Sequence, residues 1–353
     1  MTGTIATSRP AKLSDPLADW ERKRRPVFVI GCHRSGTNLL YDTLLSAGGF
    51  AVYRGYLPVY ESLLPHFGSL ANRRNREKIV ATWMRSEGFR RSGLEAEPLS
   101  SKLLNECRSG GDFICIVMET IAEHQGLQRW AVYDPDNVLH MDEIRREIPG
   151  SLFVHIIRDG RDIALSLMKM GGFRPLPWSR RSPGLLETAL YWQWMVCYGR
   201  QSGSRIPNDY LEMHYEELVS QPRTALVRLG QFLEHDLDYD RIQSASLGRV
   251  RKSNSSFRGD ADGSQDPVNR WKKKLSPPQI TELEAAIGPT LEEFGYPLTV
   301  NPEQRRPRFS TKCLTAVYPS FLNSKQWIKV NTPVGRLSNL TALGVQPSAA
   351  DAD

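Results

Sequence analysis

The segment Gly31–Asn38, with the sequence GCHRSGTN, combines glycines, hydroxyl side chains and a cation within eight positions. It follows a β-branched run and precedes a helical pattern, so its backbone N–H groups would line the N-terminus of a helix. Such a loop favours a bound phosphate or sulfate. Gly36 would let the backbone approach the anion closely. Three further side chains add hydrogen-bond donors: Ser35, Thr37 and Asn38.

The spacing of this loop matches the first six residues of a Walker A loop, but Thr37 stands where Walker A has a lysine. The cation is instead Arg34, two residues before the second glycine. This difference argues against an ordinary ATPase or kinase, whose lysine bridges the terminal phosphates. The alternative from the residues alone is a capped helix that binds no ligand.

A second group of polar residues follows the apolar run 152–157. Arg158 would lie at the carboxyl end of that strand, the edge at which open α/β sheets bind ligands. Ser166 comes two helical turns later, on the helix that follows. An arginine fork and a hydroxyl together can hold a second, separate phosphate. Two anion sites at the ends of two strands are a more specific sign of function than either site alone.

The elements that would position these residues alternate between strand and helix. We predict strands at 27–30, 152–157 and 210–213, and we note that the apolar run 113–118 also has strand length. Helical patterns cover 35–47, 138–147, 161–170, 185–199, 222–233 and 278–294. This order predicts an α/β fold with a central, mostly parallel sheet that helices cover on both faces.

With these motifs in place, the chain resembles the PAPS-dependent sulfotransferases (PAPS is 3′-phosphoadenosine 5′-phosphosulfate), especially the bacterial and Golgi-type branch that includes the tyrosylprotein sulfotransferases. The loop Arg34–Thr37 looks like the 5′-phosphosulfate loop of that family, and Arg158–Ser166 looks like its 3′-phosphate site. Tyr215 in the sequence HYEEL and the segment Arg270–Lys272 are also similar. The resemblance runs from about residue 26 to residue 298 and implies a P-loop-like three-layer fold.

The resemblance also implies a reaction and a set of binding residues. The sulfuryl group of PAPS would pass to an acceptor hydroxyl by in-line displacement, and arginine and backbone N–H groups would stabilise the charge without a metal. Arg34 would serve as a catalytic residue at the sulfuryl group and the leaving phosphate. The cofactor-binding residues would be Arg34, Ser35, Gly36, Thr37, Asn38, Arg158, Ser166, Tyr215, Ser255, Ser256 and Arg270. Two alternatives remain open. One is a non-catalytic protein that binds PAPS or PAP, the desulfated product of PAPS, and the other is a P-loop kinase.

The general base is less clearly marked than the donor site. Glu61 is the carboxylate nearest to the position at which tyrosylprotein sulfotransferases carry a glutamate, so we predict Glu61 as the catalytic base. His33 in the loop and Asp134 with Asp136 are the other candidates. The segment Tyr133–Pro135 departs from the Lys-Thr-Pro that relatives often show, so the class of acceptor stays open among carbohydrate, lipid, small molecule and peptide.

Length and charge set the remaining expectations. The chain has 353 residues with 46 Lys and Arg against 39 Asp and Glu. We expect a flexible basic arm at 1–25, a sulfotransferase domain at 26–299 and a C-terminal extension at 300–353 that is either packed on the domain or partly disordered.

Several kinds of partner and site are not expected. The apolar runs are too short for a membrane span, and no nucleic-acid-binding motif accompanies the basic segments. The five scattered cysteines lack the spacing of a metal site, and with no secretory signal we expect a reducing, cytoplasmic setting. The sequence does not predict the oligomeric state.

Overall fold

A computed structural model describes residues 22–170, 183–245, 267–337, 340 and 343–344. Two of the predicted cofactor-binding residues, Ser255 and Ser256, lie outside the described residues. The same is true of positions 1–21 of the predicted basic arm.

The sheet has four parallel strands in the order β2-β1-β3-β4. The strands are β1 (Val27–Ile30), β2 (Ala131–Tyr133), β3 (Leu152–Ile157) and β4 (Tyr210–His214). The predictions for β1, β3 and β4 are confirmed. The edge strand β2 was not predicted, because three residues are too few to show a period.

Both faces of the sheet are buried, as the β-branched and aromatic composition of the strands predicts. Along β1, Val27 and Val29 join one hydrophobic cluster, whereas Phe28 and Ile30 join another on the opposite face. All four of these side chains are fully buried. Helices therefore cover the sheet on both sides, which confirms the predicted α/β fold in three layers.

The helices connect the strands in the order that a parallel sheet requires. Their bounds are α1 (Thr37–Ala47), α2 (Leu64–Phe67), α3 (Arg73–Met84), α4 (Glu87–Arg90), α5 (Ala96–Glu106), α6 (Gly110–His124), α7 (Met141–Glu147), α8 (Gly160–Met168), α9 (Leu185–Gly203), α10 (Tyr215–Ser220), α11 (Pro222–Leu233), α12 (Tyr239–Ala245), α13 (Trp271–Lys274), α14 (Pro277–Glu293) and α15 (Phe309–Asn331). Short 3₁₀ helices occupy Arg22–Arg24, Pro135–His140 and Pro333–Leu337, and Val59–Leu63 is π-helical.

Two sequence-based expectations are corrected. The apolar run 113–118 has strand length but lies within α6, which begins at a capping box. In that box Ser109 Oγ accepts from Asp112 N at 3.0 Å, and Asp112 Oδ2 accepts from Ser109 N at 3.0 Å. The helix predicted at 138–147 is divided, because a 3₁₀ helix begins at Pro135 and α7 follows it.

The described part of the C-terminal extension contains a long helix, α15. Tyr318 and Leu322 of this helix are buried, and Trp194 Nε1 of α9 donates to Asn323 Oδ1 at 2.7 Å. The extension therefore packs on the domain over the length of α15. In the described part of the chain, no helix is both long enough and apolar enough to cross a membrane.

Candidate active site

The loop between β1 and α1 turns sharply because three of its residues have a positive φ: Gly31 has φ 153°, Arg34 has φ 74° and Gly36 has φ 102°. A Cβ atom on Gly36 would lie 2.5 Å from the ring of Tyr215, so only glycine fits there. Ser35 is fully buried, and its Oγ donates to the Cys32 carbonyl oxygen at 2.6 Å. The Ser35 hydroxyl proton therefore stabilises the loop itself.

The start of α1 faces this loop. Gly36 occupies the N-cap position and, being a glycine, has no side chain that could cap the first turn of the helix. Thr37 is buried at this end of the helix, whereas Asn38 is exposed. The backbone N–H groups and the positive end of the helix dipole favour an anion in the loop.

Arg34 connects the loop to the second anion site that the sequence predicts. Its Nε donates to Ser166 Oγ at 2.9 Å, and its carbonyl oxygen accepts from Arg158 Nη1 at 3.3 Å. Ser166 belongs to α8, and Arg158 immediately follows β3. The ends of β1 and β3 are neighbours because the two strands pair, so the two predicted sites form one continuous surface.

Arg158 is only 2% exposed, and its neighbours fix its orientation. The guanidinium lies 4.4 Å from the centre of the Tyr215 ring, and its Nη2 donates to the Pro267 carbonyl oxygen at 2.5 Å. Its Nη2 is also 3.6 Å from Asp162 Oδ2. Arg158 Nε has no hydrogen-bond partner among the residues that the structure describes. A buried cation with an unused N–H group is typical of a site that binds an anion.

Arg270 adds a third guanidinium to this surface. Burial lowers the pKa of Arg34, and the charges of Arg158 and Arg270 lower it further. Like charges gathered in a partly buried place are unfavourable unless an anion binds there. Arg270 directly precedes α13, whose Trp271 N donates to Asp162 Oδ1 at 2.8 Å. The structure thus brings together the predicted residues Arg34, Arg158, Ser166, Tyr215 and Arg270.

On the β2 side of the loop, the side chains are carboxylates and histidines. His33 Nε2 lies 3.1 Å from each carboxylate oxygen of Asp136. Asp134, which follows β2, is 3% exposed, and its Oδ1 accepts from Asp136 N at 3.1 Å. Its Oδ2 has no hydrogen-bond partner within the described ranges. A buried carboxyl oxygen beside the anion loop is therefore available to a ligand.

Burial and neighbouring charges shift the pKa values in this group. Burial alone would lower the pKa of His33, but the carboxylate of Asp136 outweighs it and raises that pKa to about 9. Burial raises the pKa of Asp134 to about 8, helped by the charges of Asp136 and Glu61. Burial also acts to raise the pKa of Asp136, yet His33 holds it below its usual range. At neutral pH, His33 is therefore largely a cation and Asp134 is largely neutral.

Glu61 lies in the π-helical turn before α2 and is held by two cations. It forms an ion pair with Lys329 of α15, and its Oε2 lies 3.6 Å from His140 Nε2. Burial alone would lower the pKa of His140, but the carboxylates of Glu143 and Glu61 outweigh it and raise that pKa to about 9. Glu61 Oε2 has no hydrogen-bond partner in the part of the chain that the structure describes.

The comparisons with known proteins agree with this geometry. The profile of the Sulfotransferase family matches residues 26–240, which is more than half of the chain. The chain belongs to the Sulfotransferase family. This family is the one that the resemblance of its motifs predicts.

Among its relatives, carbohydrate sulfotransferase 7 of Rattus norvegicus is 28% identical over 135 residues, which cover 36% of this chain and 28% of the rat protein. The match thus spans less than a third of the rat protein. A putative protein-tyrosine sulfotransferase of Caenorhabditis elegans is 21% identical over 240 residues, which cover 65% of this chain and 85% of that protein.

Solved sulfotransferase structures are similar to this chain at low sequence identity. The sulfotransferase domain from the curacin biosynthetic pathway is 16% identical, with a TM-score of 0.50 over 77% of this chain and 98% of that one. A mouse sulfotransferase complexed with PAP is 14% identical, with a TM-score of 0.41 over 83% of this chain and 89% of that one.

The anion loop separates two chemically different sides of the site. Towards β3 and β4 lie the guanidinium groups of Arg34, Arg158 and Arg270. Towards the edge strand β2 lie Asp134 and the His33–Asp136 pair, with Glu61 nearby. We call these the donor side and the acceptor side. The donor side suits a ligand with several negative charges, and the acceptor side offers groups that can exchange a proton.

All four residues named as candidates for the general base, Glu61, His33, Asp134 and Asp136, lie on the acceptor side. The charges of Asp134, Asp136 and Glu61 add to burial in raising the pKa of Tyr56, which places that side chain among them. Sequence reasoning missed His140 and Lys329, the two partners of Glu61. No local pattern marks them, because Lys329 is 268 positions away from Glu61 in the sequence.

Proposed function

We propose that this sulfotransferase uses PAPS as its donor and transfers the sulfuryl group to an acceptor hydroxyl by in-line displacement without a metal. The observation that supports this proposal is the junction of two anion sites through Arg34, Ser166 and Arg158. PAPS carries a 3′-phosphate and a 5′-phosphosulfate, so it presents two separated anionic groups. The loop 31–38 would hold the phosphosulfate, and Arg158 with Ser166 would hold the 3′-phosphate.

The donor-side arginines would carry the chemistry at the sulfuryl group. In the displacement, a bond forms between the acceptor oxygen and sulfur while the bond from sulfur to the phosphate oxygen breaks, and PAP leaves. Negative charge grows on the bridging phosphate oxygen. Arg34 and the backbone N–H groups at the start of α1 would stabilise that charge, which replaces the role that a metal plays in many phosphoryl transfers.

Glu61 is our proposal for the base that takes the acceptor proton. At neutral pH, His33 is largely protonated and Asp134 is largely neutral, since their pKa values are about 9 and about 8. Neither is then mainly in the form that accepts a proton. Glu61 is paired with the ammonium of Lys329, and its Oε2, 3.6 Å from His140 Nε2, accepts no hydrogen bond from the described residues. His33 would instead add positive charge beside the sulfuryl group.

A hydroxyl on a carbohydrate or on a protein tyrosine is the acceptor that the relatives suggest. The rat relative is named as a carbohydrate sulfotransferase and the nematode relative as a putative protein-tyrosine sulfotransferase. Neither match decides between the two, because the identities are 28% and 21%.

Calorimetric titration with PAP, in buffer that contains a chelator, tests the donor site. We expect micromolar or tighter binding that Arg158→Ala weakens at least 100-fold and that Arg223→Ala leaves unchanged. Arg223 is the matched control because it is exposed on α11 and pairs with Asp240 on the surface. Binding of ATP with Mg²⁺ in place of PAP would contradict the proposal and favour a kinase. Binding of PAP with no transfer from radiolabelled PAPS to carbohydrate or tyrosine acceptors would favour the non-catalytic alternative.

A further inference from the structure

Exposed apolar side chains are concentrated in one segment near the C-terminus. Among the described residues, nine large hydrophobic side chains are exposed, and six of these lie between residues 309 and 337. The six are Phe309, Val317, Trp327, Ile328, Val334 and Leu337, with exposed fractions of 40–83%. Single exposed apolar residues are common on proteins, but a group of them along one segment indicates a surface that binds something.

Four of these six residues belong to α15 and lie on the side opposite its contact with the domain. Phe309 and Trp327 are about five helical turns apart, so they share one side of the helix at a separation of about 27 Å. Tyr318 is half a turn out of phase with both of them and is buried. We call the exposed side of Phe309–Asn331 the outer face of α15.

The outer face of α15 is almost free of charge. Besides its four large apolar residues, it exposes Ser310, Lys312, Cys313, Ala316, Ser320, Asn323, Ser324 and Asn331. The structure describes the whole of this helix, and Lys312 is the one charged residue among those it exposes. A helix face that meets only water normally carries several charged residues. The composition of the outer face therefore suits contact with an apolar phase.

The charges around the outer face are all positive. From residue 304 to residue 350 the sequence contains seven Lys and Arg residues and no Asp or Glu. Four of the seven are exposed: Arg306, Arg308, Lys312 and Arg336. Two of these arginines precede α15, and Arg336 lies in the 3₁₀ helix that follows it. The outer face is thus apolar along its length and basic at both ends.

This charge pattern does not suit a second copy of the chain as the partner. Two copies of α15 packed through their outer faces would bring basic ends together in either relative direction, because both ends carry arginine. Like charges brought together in this way repel each other. A partner that neutralises both ends must be anionic, and it must also accept Phe309 and Trp327 from a convex helix surface.

We propose that the outer face of α15 binds the surface of a membrane that contains anionic lipids. Basic residues together with exposed Trp, Phe and Leu are typical of helices that lie in the plane of the membrane interface. Phe309 and Trp327 would enter the boundary between headgroups and acyl chains, and the flanking arginines would contact anionic headgroups. The proposal is independent of the donor, the acceptor and the reaction.

The fold supplies controls on the opposite side of the molecule. Tyr318 and Leu322 of α15 belong to the hydrophobic cluster on the Phe28 face of the sheet, whereas Leu226 of α11 belongs to the cluster on the other face. A protein bound through α15 therefore keeps α11 away from the membrane. Val227 of α11 is 61% exposed, the same fraction as Trp327.

Sedimentation of the full-length protein with lipid vesicles tests the proposal. One set of vesicles contains phosphatidylcholine alone, and the other contains phosphatidylcholine mixed with phosphatidylserine. We expect the apparent Kd to be about tenfold lower, or lower still, on the mixed vesicles, because each basic residue near an anionic surface favours binding. Added salt should weaken this binding, since it screens the charges. The tryptophan emission should shift to shorter wavelength when the mixed vesicles are added.

Variants of the apolar residues decide whether the outer face is responsible. Phe309→Ser and Trp327→Ser should each weaken binding to the mixed vesicles several-fold. Trp327→Phe should keep most of the binding and lose most of the shift in emission, and Val227→Ser should behave as the wild type. A melting temperature within about 3 °C of the wild type shows that each variant is folded.

Variants of the arginines test the part that charge plays. Arg306→Gln combined with Arg308→Gln should remove most of the preference for mixed vesicles. Arg223→Gln combined with Arg228→Gln is the matched control, because both of these arginines are exposed on α11. The control removes the same net charge from the opposite side, so it should leave the preference unchanged.

Three results would overturn the proposal. The first is no binding to the mixed vesicles, or equal binding to both kinds. The second is binding to the mixed vesicles that persists unchanged in the Phe309, Trp327 and double arginine variants. The third is a dimer, measured by analytical ultracentrifugation, that Trp327→Ser dissociates while the wild type ignores vesicles. That result would assign the outer face to a second copy of the chain.

Discussion

Arg34 Nε donates a hydrogen bond of 2.9 Å to Ser166 Oγ, although 132 positions separate the two residues in the sequence. The contact joins the loop after β1 to the helix after β3. Arg158 also contacts this loop, because its Nη1 donates a hydrogen bond to the Arg34 carbonyl oxygen. Since Arg34 has a left-handed backbone, these bonds also stabilise a conformation that a non-glycine residue rarely adopts. The two anion sites are therefore one structural unit, and a change at Ser166 should affect both.

Replacing Ser166 with alanine should weaken PAP binding about 10- to 100-fold, because hydrogen bonds to a charged group contribute about 1.5–3 kcal/mol. Titration calorimetry measures the effect. Ser220→Ala is the control, since Ser220 Oγ donates only to a backbone carbonyl on an exposed helix end. Unchanged PAP affinity in Ser166→Ala would show that this contact does not contribute to the donor site.

Replacing Gly36 with alanine should abolish donor binding and lower stability by several kcal/mol. A Cβ atom there would lie 2.5 Å from the Tyr215 ring, in addition to the cost of a left-handed backbone. Gly48 also has a positive φ, of 79°, but a Cβ atom on it would contact nothing within 4 Å. Gly48→Ala should therefore cost about 1–3 kcal/mol, from backbone strain alone, and leave PAP binding intact. Chemical denaturation and PAP titration of both variants separate the clash from the backbone strain.

The donor side could be predicted from the sequence because its signals are local. An apolar strand such as Val27–Ile30, then a glycine-containing loop and a helical pattern, place Arg34 at a helix N-terminus. The same logic places Arg158 at the end of β3. Pairing between β1 and β3 then follows from the fold class. Ser255 and Ser256 lie outside the described residues, so their roles in cofactor binding stay predictions.

The acceptor side could not be assembled in the same way. The edge strand β2 has three residues, too few for a recognisable pattern, so the position of Asp134 relative to the loop was not fixed. The partners of Glu61 come from distant parts of the chain, His140 before α7 and Lys329 near the end of α15. Contacts of this kind depend on tertiary packing, which no short motif encodes.

The His33–Asp136 pair should make stability depend on pH above neutrality. The folded pKa of His33 is about 9, above its unfolded value of about 6.5, so its contribution is complete below pH 6.5 and disappears as the pH rises through 9. Asp136→Asn should remove about 1–3 kcal/mol of unfolding free energy near pH 6 and flatten its decline between pH 6.5 and 9. Because the pKa of His140 is also about 9, part of the decline in unfolding free energy with pH remains in this variant.

Urea denaturation from pH 6 to pH 9.5 measures this dependence. Asp240→Asn is the control, because Asp240 pairs with Arg223 on the surface. A slope in Asp136→Asn as steep as that of the wild type would show that the pair does not couple folding to protonation.

Replacing Glu61 with glutamine should lower kcat for sulfuryl transfer about 10²- to 10⁴-fold while PAP affinity changes little, because a missing base affects proton transfer and not donor binding. Glu143→Gln is the matched control, since Glu143 contacts the same His140 at 2.8 Å through its other ring nitrogen. Asp134→Asn should keep kcat within about tenfold, because Asp134 is largely neutral at pH 7. Steady-state kinetics with radiolabelled PAPS measure all three variants. Wild-type turnover in Glu61→Gln together with a loss of turnover in Asp134→Asn would assign the base to Asp134. Asp134 would then act through its ionised fraction, so the rate of transfer would rise towards pH 8.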